Sequence, residues 1–209
     1  MSDQSSPLAL ALAHLSYDRQ AAKVGIVPVC FHGEGGRRAM KFLLHRPKNK
    51  NPKDTSQRPF ALARGSVEAL LADGTRVDVR DEASLAIVLA DARLEKLEDP
   101  AATALREAEQ ELGIAAADVI ALMDLGTLRF TTVNQETGRH SHYGIHWFGC
   151  AIRPRDAAQL RAAAVDSADV AWMTLEDARL ASQEGRFNAK YLPVMEAAAG
   201  PLEAWLKSL

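Results

Sequence analysis

Residues 106–114 constrain this 209-residue chain most, because they place several carboxylates on one side of a predicted helix. Glu107 and Glu111 are four residues apart and are therefore neighbours on a helical surface. Like charges at this spacing repel and destabilise an isolated helix by about 0.2–0.5 kcal/mol. A divalent cation bound between them reverses the sign of that interaction, and hard cations such as Mg2+ prefer carboxylate oxygens. The pair therefore predicts either a metal site or a solvated helix face.

The flanking residues predict where this helix begins and ends. Asp99 is a favourable N-cap residue, and Pro100 suits the first helical position. Gly113 stands where a left-handed C-terminal cap is expected. The helix is amphipathic, so its acidic side faces a cleft or solvent. The apolar side, predicted to pack on a core, consists of Leu105, Ala108 and Leu112.

The string Arg-Glu-Ala-Glu-Gln-Glu-Leu-Gly-Ile at residues 106–114 resembles the signature helix of the Nudix hydrolases. The pattern of that family reads Arg-Glu-apolar-x-Glu-Glu-x-Gly-apolar. This chain departs from the pattern at Gln110, where the family usually has the first Glu of the pair. An amide oxygen binds a hard cation without contributing charge, so we expect weaker metal binding or fewer bound metals.

The upstream half of the family pattern is interrupted in this chain. In the family a Gly, five residues, a Glu and seven residues precede the Arg. Counting back from Arg106, Glu98 has the position of the Glu, but Ala92 stands where the Gly is expected. A better match is the segment 60–68, which resembles the strand and loop before the signature helix. We therefore interpret residues 69–96 as an insertion inside the pattern.

The resemblance implies a hydrolase of the pyrophosphate bond in a nucleoside diphosphate linked to another group, with Mg2+ or Mn2+ as cofactor. On this interpretation Glu107 is a metal ligand or the general base. Arg106 orients Glu107, and Glu98 is the partner of Arg106, which makes these three the candidate catalytic residues. The candidate metal ligands are Glu107, Glu111, Gln110 and the carbonyl of Gly65, which begins the pattern together with Glu68.

Three arginines are candidates for binding substrate phosphates. Arg64 precedes Gly65, Arg46 belongs to a basic loop at residues 45–53, and Arg139 belongs to a polar cluster that includes His140 and His142. For each, the alternative is a solvated surface charge. Family enzymes often use a further acid from a later loop, and the candidates here are Glu136, Asp166 and Asp169.

The order of predicted elements also resembles the family. It implies an α/β fold of the Nudix type, an α/β/α sandwich around a mixed curved sheet. The insertion at residues 69–96 lies inside the family pattern. We expect residues 1–22 to form a tail with a short helix and residues 23–209 to form a single domain. The predicted elements are strands at 23–32, 39–46, 60–67 and 170–173, a helix at 82–95, a hairpin at 122–133 and 142–152, and a final helix at 188–209 with a break at Gly200-Pro201.

Composition limits the partners and the compartment. The net charge of −2 indicates neither a nucleic-acid nor a membrane surface as a partner. The resemblance to the Nudix hydrolases implies a nucleotide-type small molecule as the substrate. Cys30 and Cys150 lie in apolar strands and are interpreted as buried thiols, which fits the cytoplasm. No run approaches the ~20 apolar residues of a membrane span, and the apolar patch at 8–12 lacks the basic region of a signal peptide. A homodimer is also considered, because many family members are dimers.

Two functions within the family stay open at this point. The match at Arg106, Glu107, Glu111 and Gly113 favours an active hydrolase, which we prefer. Gln110, the missing contiguous glycine and the insertion favour a catalytically weakened Nudix-fold module that binds a nucleotide. A globular protein with a chance match is disfavoured, because the resemblance spans three separated segments.

Overall fold

The computed structural model describes residues 23–33, 38–49, 56–79, 82–133 and 140–209; for residues 82, 83, 85, 132, 133 and 140–143 it describes the backbone only. The tail and short helix predicted at residues 1–22 lie outside the described residues. In the described part of the chain, no helix is long and apolar enough to cross a membrane.

Strand β1 (Lys23–His32) is the centre of the sheet, and its apolar run is buried on both faces. One edge of β1 pairs antiparallel with β2 (Ala39–Pro47) and, near the N-terminal end of β1, with β3 (Arg64–Leu71). Its other edge pairs parallel with β7 (His140–Ile152). The sheet is therefore mixed, as the sequence predicts.

The remaining strands extend this sheet at its edges. Strand β4 (Arg76–Val79) and strand β5 (Leu94–Leu97) both pair antiparallel with the second half of β3. The long strand β6 (Val119–Val133) forms the predicted hairpin with β7, and β8 (Ser167–Met173) pairs antiparallel with β2. Within the described residues, these eight strands form one sheet.

Helices cover both faces of the sheet, which confirms the predicted α/β/α sandwich. Helix α1 (Glu82–Ala90) packs beside β4. Helices α2 (Pro100–Leu112) and α3 (Ala157–Ala163) cover one face, and helices α4 (Leu175–Gln183) and α5 (Leu192–Leu206) cover the other. The candidate residues that lie on α2 are Arg106, Glu107, Gln110 and Glu111.

Helix α2 packs closely on the sheet because its buried positions are small. Ala104 and Ala108 are fully buried, whereas the predicted core residue Leu105 is only partly buried. Two alanines one turn apart let the helix axis approach β1 and β3, and this also buries Glu107. Close packing of this helix therefore sets the position of the acidic residues.

Two predicted helices differ in the structure. The helix predicted at 82–95 ends at Ala90, because Asp91 accepts the N–H of Arg93 at 2.9 Å in a turn and the chain then enters β5. The break predicted at Gly200-Pro201 is wrong, since α5 runs through Pro201. Burial of Leu202 in the core compensates for the backbone hydrogen bond that proline cannot make.

The strand predicted at 60–67 is also shifted. Phe60 and Ala61 make isolated bridges to Phe187 and His45, and the regular strand begins only at Arg64. Helix α3 has no counterpart in the sequence analysis. The bridge at Phe60 brings Phe187 and the residues after it beside the segment that leads into β3.

Candidate active site

Arg106 is the centre of a network that joins the two halves of the interrupted pattern. Its guanidinium binds both carboxylate oxygens of Glu98, with Nε to Oε1 and Nη2 to Oε2 each at 3.0 Å. It also donates to the carbonyl of Ser66 at 2.9 Å and contacts Glu107 Oε1. Burial lowers the pKa of Arg106, but the bond to Glu98 and the neighbouring carboxylates outweigh burial and raise it. The guanidinium therefore stays charged and holds the Glu107 carboxylate in position.

The ends of the segment 69–96 meet beside this network. The backbone N–H of Glu98 donates to the carbonyl of Glu68 at 2.8 Å, and the N–H of Glu68 donates to Glu98 Oε2 at 3.1 Å. Glu68 Oε1 also lies 3.6 Å from the Arg106 guanidinium. The segment thus leaves and rejoins the site at adjacent points, and the two halves of the pattern are contiguous in space.

Gly65 lies directly against the Glu107 carboxyl group. A Cβ atom on Gly65 would stand 1.9 Å from Glu107 Oε1, so no side chain fits there unless the carboxylate moves. Glu107 is only 7% exposed, and burial raises its pKa while Arg106 partly opposes that rise. Glycine at this position is what allows the start of β3 to touch the helix.

Glu111 occupies the next turn of α2 and contacts the adjacent residue of β3. Its Oε2 accepts the backbone N–H of Arg64 at 2.9 Å and lies 3.4 Å from His45 Nε2. Burial raises the pKa of Glu111 to about 8, and the charge of Glu107 contributes to the rise. Burial also lowers the pKa of His45 to about 4, so its ring is neutral at pH 7. The neutral ring therefore contributes no positive charge beside Glu111.

These residues form a donor set suited to a hard cation. Glu107 and Glu111 extend from consecutive turns towards Gly65 and Arg64, so both carboxylates reach the start of β3. Among the described residues, no three His, Cys, Asp or Glu side chains form a cluster that could hold a metal ion. Two carboxylates nonetheless suit Mg2+, which keeps several waters and completes its shell with substrate phosphate oxygens.

Gln110 is the position at which the chain departs from the family pattern. Its amide Oε1 accepts a hydrogen bond from Arg106 Nη1 at 3.3 Å, so the amide oxygen faces the guanidinium. Its backbone carbonyl accepts the N–H groups of Val165 and Asp166 at 2.8 and 3.0 Å. The Gln110 side chain is thus hydrogen-bonded to Arg106, and its backbone connects α2 to the loop before β8.

A cavity of about 550 Å³ opens beside Glu111. The start of β3 forms one wall of the cavity, and residues 188–191 form another. The residues from 188 to 191 dock there because the N–H of Asn188 donates to the carbonyl of Phe60 at 2.8 Å. The cationic residues that line the cavity are Lys23, Arg58, Arg64 and Lys190, and the other lining residues used below are His45, Ser66, Asn188 and Tyr191.

Most of these cavity residues were missed by the sequence analysis. Lys190 and Tyr191 are more than a hundred residues from β3 and belong to no motif of the signature helix. Lys23 precedes the apolar part of β1, which by itself predicts only a strand end. The only sequence feature that could have indicated this segment was the pair Lys190-Tyr191, which directly precedes an apolar helix.

Arg46 is not one of the residues that line this cavity in the described part of the chain. Its guanidinium carbon lies 4.5 Å from the Phe60 ring centroid, and its Nη1 donates to Gln57 Oε1 at 3.0 Å. Arg139 lies outside the described residues, as do the side chains of His140 and His142.

Of the two later acids that the structure describes, Asp166 is the one that interacts electrostatically with the site. Its charge contributes to the raised pKa of Glu111. Asp169 instead lies 4.0 Å from Arg161 and accepts the N–H of Val170 at 3.0 Å. Glu136 lies outside the described residues.

Comparison with known sequence families identifies the chain. The family model described as NUDIX domain matches residues 85–195, slightly more than half of the sequence. The chain belongs to the Nudix family. Membership confirms the recognition made from the signature helix and the enzyme class predicted with it, a Nudix-type pyrophosphohydrolase. The matched range includes Glu98 and α2 of this Nudix protein but begins after Gly65, so the link to Gly65 depends on the geometry described above.

Solved structures support the same fold. A mutT/nudix family protein from Listeria innocua has a TM-score of 0.54 at 14% identity, over 90% of this chain and 98% of that one. The NUDIX domain of Shewanella oneidensis NrtR, in complex with ADP ribose, has a TM-score of 0.51 at 16% identity, over 97% of this chain and 99% of that one. No curated protein matches this Nudix chain.

Proposed function

We propose that this protein is a Mg2+-dependent hydrolase that cleaves the pyrophosphate bond of a nucleoside diphosphate linked to another group. The observation that supports this most directly is the pair of carboxyl groups, buried Glu107 and partly exposed Glu111, beside a basic cavity. When bound, Mg2+ neutralises phosphate charge and activates a water for attack. The ADP ribose complex of the NrtR domain, which has a similar fold, agrees with a nucleotide-type ligand.

We assign each candidate residue a role. Glu107 and Glu111 would hold the cation, and Glu107 is also the candidate general base. The carbonyl of Gly65 and the amide oxygen of Gln110 are further candidate ligands, although the latter would have to leave its hydrogen bond with Arg106. Arg106 is a positioning residue, because it contacts Glu107 from a guanidinium fixed by the remaining carboxylates. Glu98 positions Arg106 through its bidentate bond. Arg64, on the cavity wall, binds a substrate phosphate.

Replacement of Glu111 tests this function. We expect Glu111→Ala to lower kcat by about 100-fold or more, because the loss of a charged ligand removes several kcal/mol of stabilisation from the transition state. The assay is product release from ADP ribose, nucleotide sugars, nucleoside triphosphates, NADH and diadenosine polyphosphates, each with Mg2+, Mn2+ or EDTA. Glu109→Ala is the matched control, since Glu109 is exposed on the same helix. Wild-type turnover by Glu111→Ala would remove the proposed site.

The alternative, a weakened binding module, is supported by Gln110. In the hydrolase we expect Gln110→Glu to lower the Mg2+ concentration for half-maximal rate several-fold, because a carboxylate adds charge that the amide lacks. The measurement is a Mg2+ titration of the initial rate for the wild-type protein and the variant. A wild-type protein that binds nucleotides without turnover, combined with activity in Gln110→Glu, would favour the binding module.

We also place the protein in the cytoplasm. Cys30 and Cys150 are free and buried, and burial raises the pKa of each thiol to about 12. Cysteines that form no disulfide are typical of proteins in a reducing compartment. The homodimer considered from the family stays a prediction.

A further inference from the structure

The cavity beside Glu111 concentrates positive charge in a chain whose net charge is −2. Four cationic side chains line it: Lys23, Arg58, Arg64 and Lys190. Among the described lining residues, Glu111 is the single carboxylate. The positive charge is therefore concentrated at this cavity. A cleft lined by one sign of charge attracts ligands of the other sign.

Tyr191 fixes two of these cations relative to each other. Arg64 Nε donates to the Tyr191 hydroxyl oxygen at 2.5 Å, and the Arg64 guanidinium carbon lies 5.9 Å from the ring centroid. Lys190 Nζ lies 4.8 Å from the same centroid. Tyr191 is 2% exposed and packs edge-on against Trp147 at 6.0 Å, so the ring is a rigid support.

Lys190 and Arg64 carry positive charge at the cavity, where Glu111 interacts electrostatically with Arg64. No described carboxylate lies at ion-pair distance from either side chain. Both side chains are partly buried, which strengthens their mutual repulsion relative to exposed cations. Burial, Arg64 and Lys23, in that order, lower the pKa of Lys190. A bound anion would convert this repulsion into attraction.

The two cations differ in their contacts with the proposed metal site. The backbone N–H of Arg64 donates to Glu111, so Arg64 adjoins the phosphates that the metal would hold. Lys190 belongs to the wall formed by residues 188–191 and lies over the ring of Tyr191, without a hydrogen bond to Glu111 in the described structure. It is therefore placed for a second anionic group of the same ligand.

We propose that Lys190, with Lys23, forms a subsite for a phosphate group additional to the scissile pyrophosphate, so that the preferred substrates contain at least three phosphates. This inference rests on the proposed function and narrows its substrate class. The additional phosphate is either part of a chain of three or more phosphates or a phosphomonoester on another part of the nucleotide. Both sources present a further anionic phosphate group to Lys190.

Binding of inorganic triphosphate and pyrophosphate to the full chain tests the subsite without turnover. Calorimetry in EDTA compares the wild-type protein with Lys190→Gln, Lys190→Arg and Lys190→Met, the last of which keeps the aliphatic stem. Lys207→Gln is the matched control, because Lys207 pairs with Glu203 outside the cavity. We expect Lys190→Gln and Lys190→Met to weaken triphosphate binding about tenfold and pyrophosphate binding less than about twofold. We expect Lys190→Arg to retain binding and Lys207→Gln to change neither ligand.

Steady-state kinetics then distinguishes the two sources of the phosphate. Diadenosine tetraphosphate against ADP ribose tests a longer phosphate chain, and NADPH against NADH tests a phosphomonoester. We expect Lys190→Gln to raise KM about tenfold for the preferred three-phosphate substrate, with kcat changed less than about twofold.

The outcomes separate the two proposals. Equal weakening of triphosphate and pyrophosphate by Lys190→Gln, or no weakening of either, overturns the subsite whatever the turnover assays give. Selective loss of triphosphate binding in a wild-type protein that hydrolyses none of the substrates keeps the subsite and overturns the proposed hydrolase.

Discussion

At the residue scale, the contact between Gly65 and Glu107 sets the geometry of the acidic site. The carboxylate fills the space that a side chain at residue 65 would need. Arg106 holds the same carboxylate from the other direction through a guanidinium that is anchored on Glu98. Gly65 and Arg106 thus both restrict the position of the Glu107 carboxylate, and such preorganisation suits a metal ligand or general base.

Gly65→Ala tests that constraint. The added methyl group must displace Glu107, and displacement of a catalytic group by about 1 Å can lower the rate by up to about 100-fold, so we expect kcat to fall by about 10- to 100-fold. The measurement is kcat alongside thermal unfolding. Gly200→Ala is the control, because a Cβ there meets no atom within 4 Å, and it should retain full activity. Wild-type kcat in Gly65→Ala would show that the Glu107 position is not critical.

At the element scale, α2 has well-defined ends that the sequence predicts. Asp99 accepts the N–H groups of Ala101 and Ala102 at 2.8 and 3.3 Å, and Gly113 adopts a left-handed φ of 69°. Gly113 also packs on α3, where a Cβ would stand 2.2 Å from the carbonyl oxygen of Leu160. The C-terminal cap of α2 thus depends on glycine both for its dihedral angle and for its space.

Gly113→Ala separates these two contributions by comparison with Gly185→Ala. Both glycines have positive φ, 69° and 71°, but a Cβ at Gly185 meets no atom within 4 Å. We expect Gly185→Ala to lower the free energy of unfolding by about 1 kcal/mol, the cost of the left-handed backbone. We expect Gly113→Ala to lower it by about 2–4 kcal/mol, because overpacking adds to that cost. Urea unfolding measures both, and equal losses would show that the contact with α3 is unimportant.

At the scale of the whole molecule, burial of the acidic site couples stability to pH. The pKa of Glu111 rises from an ordinary 4.5 to about 8 on folding. A carboxyl group whose folded pKa is raised favours the folded state fully below its unfolded pKa, and this contribution is lost as pH rises through the folded pKa. The metal-free protein should therefore lose stability between about pH 4.5 and about pH 8.

Thermal unfolding in EDTA across this pH range measures the coupling. We expect Tm to fall as pH rises, and we expect Glu111→Gln to flatten the fall and raise Tm at pH 8 by about 2–4 °C for each kcal/mol recovered. Mg2+ should restore Tm of the wild-type protein at pH 8, because it binds the ionised carboxylate of the folded state. An identical pH profile in Glu111→Gln would show that another group causes the decrease.

The sequence by itself determined the features that depend on neighbours along the chain. The caps of α2 follow from Asp99, Pro100 and Gly113, and the hairpin of β6 and β7 follows from two apolar runs around a polar loop. The signature helix was recognisable because its residues are adjacent on one helical face. It led to the family and the fold class, both of which are confirmed.

Only the tertiary structure decided which distant residues meet. The ends of the segment 69–96 are joined by hydrogen bonds between Glu68 of β3 and Glu98, and no residue spacing encodes that contact. Likewise, Lys190 and Tyr191 reach the cavity because the N–H of Asn188 binds the carbonyl of Phe60. Pro201 stays within α5 because burial in the core outweighs its local preference to end a helix. Local propensity is short in range, whereas packing and backbone pairing act between any two segments that the fold brings together.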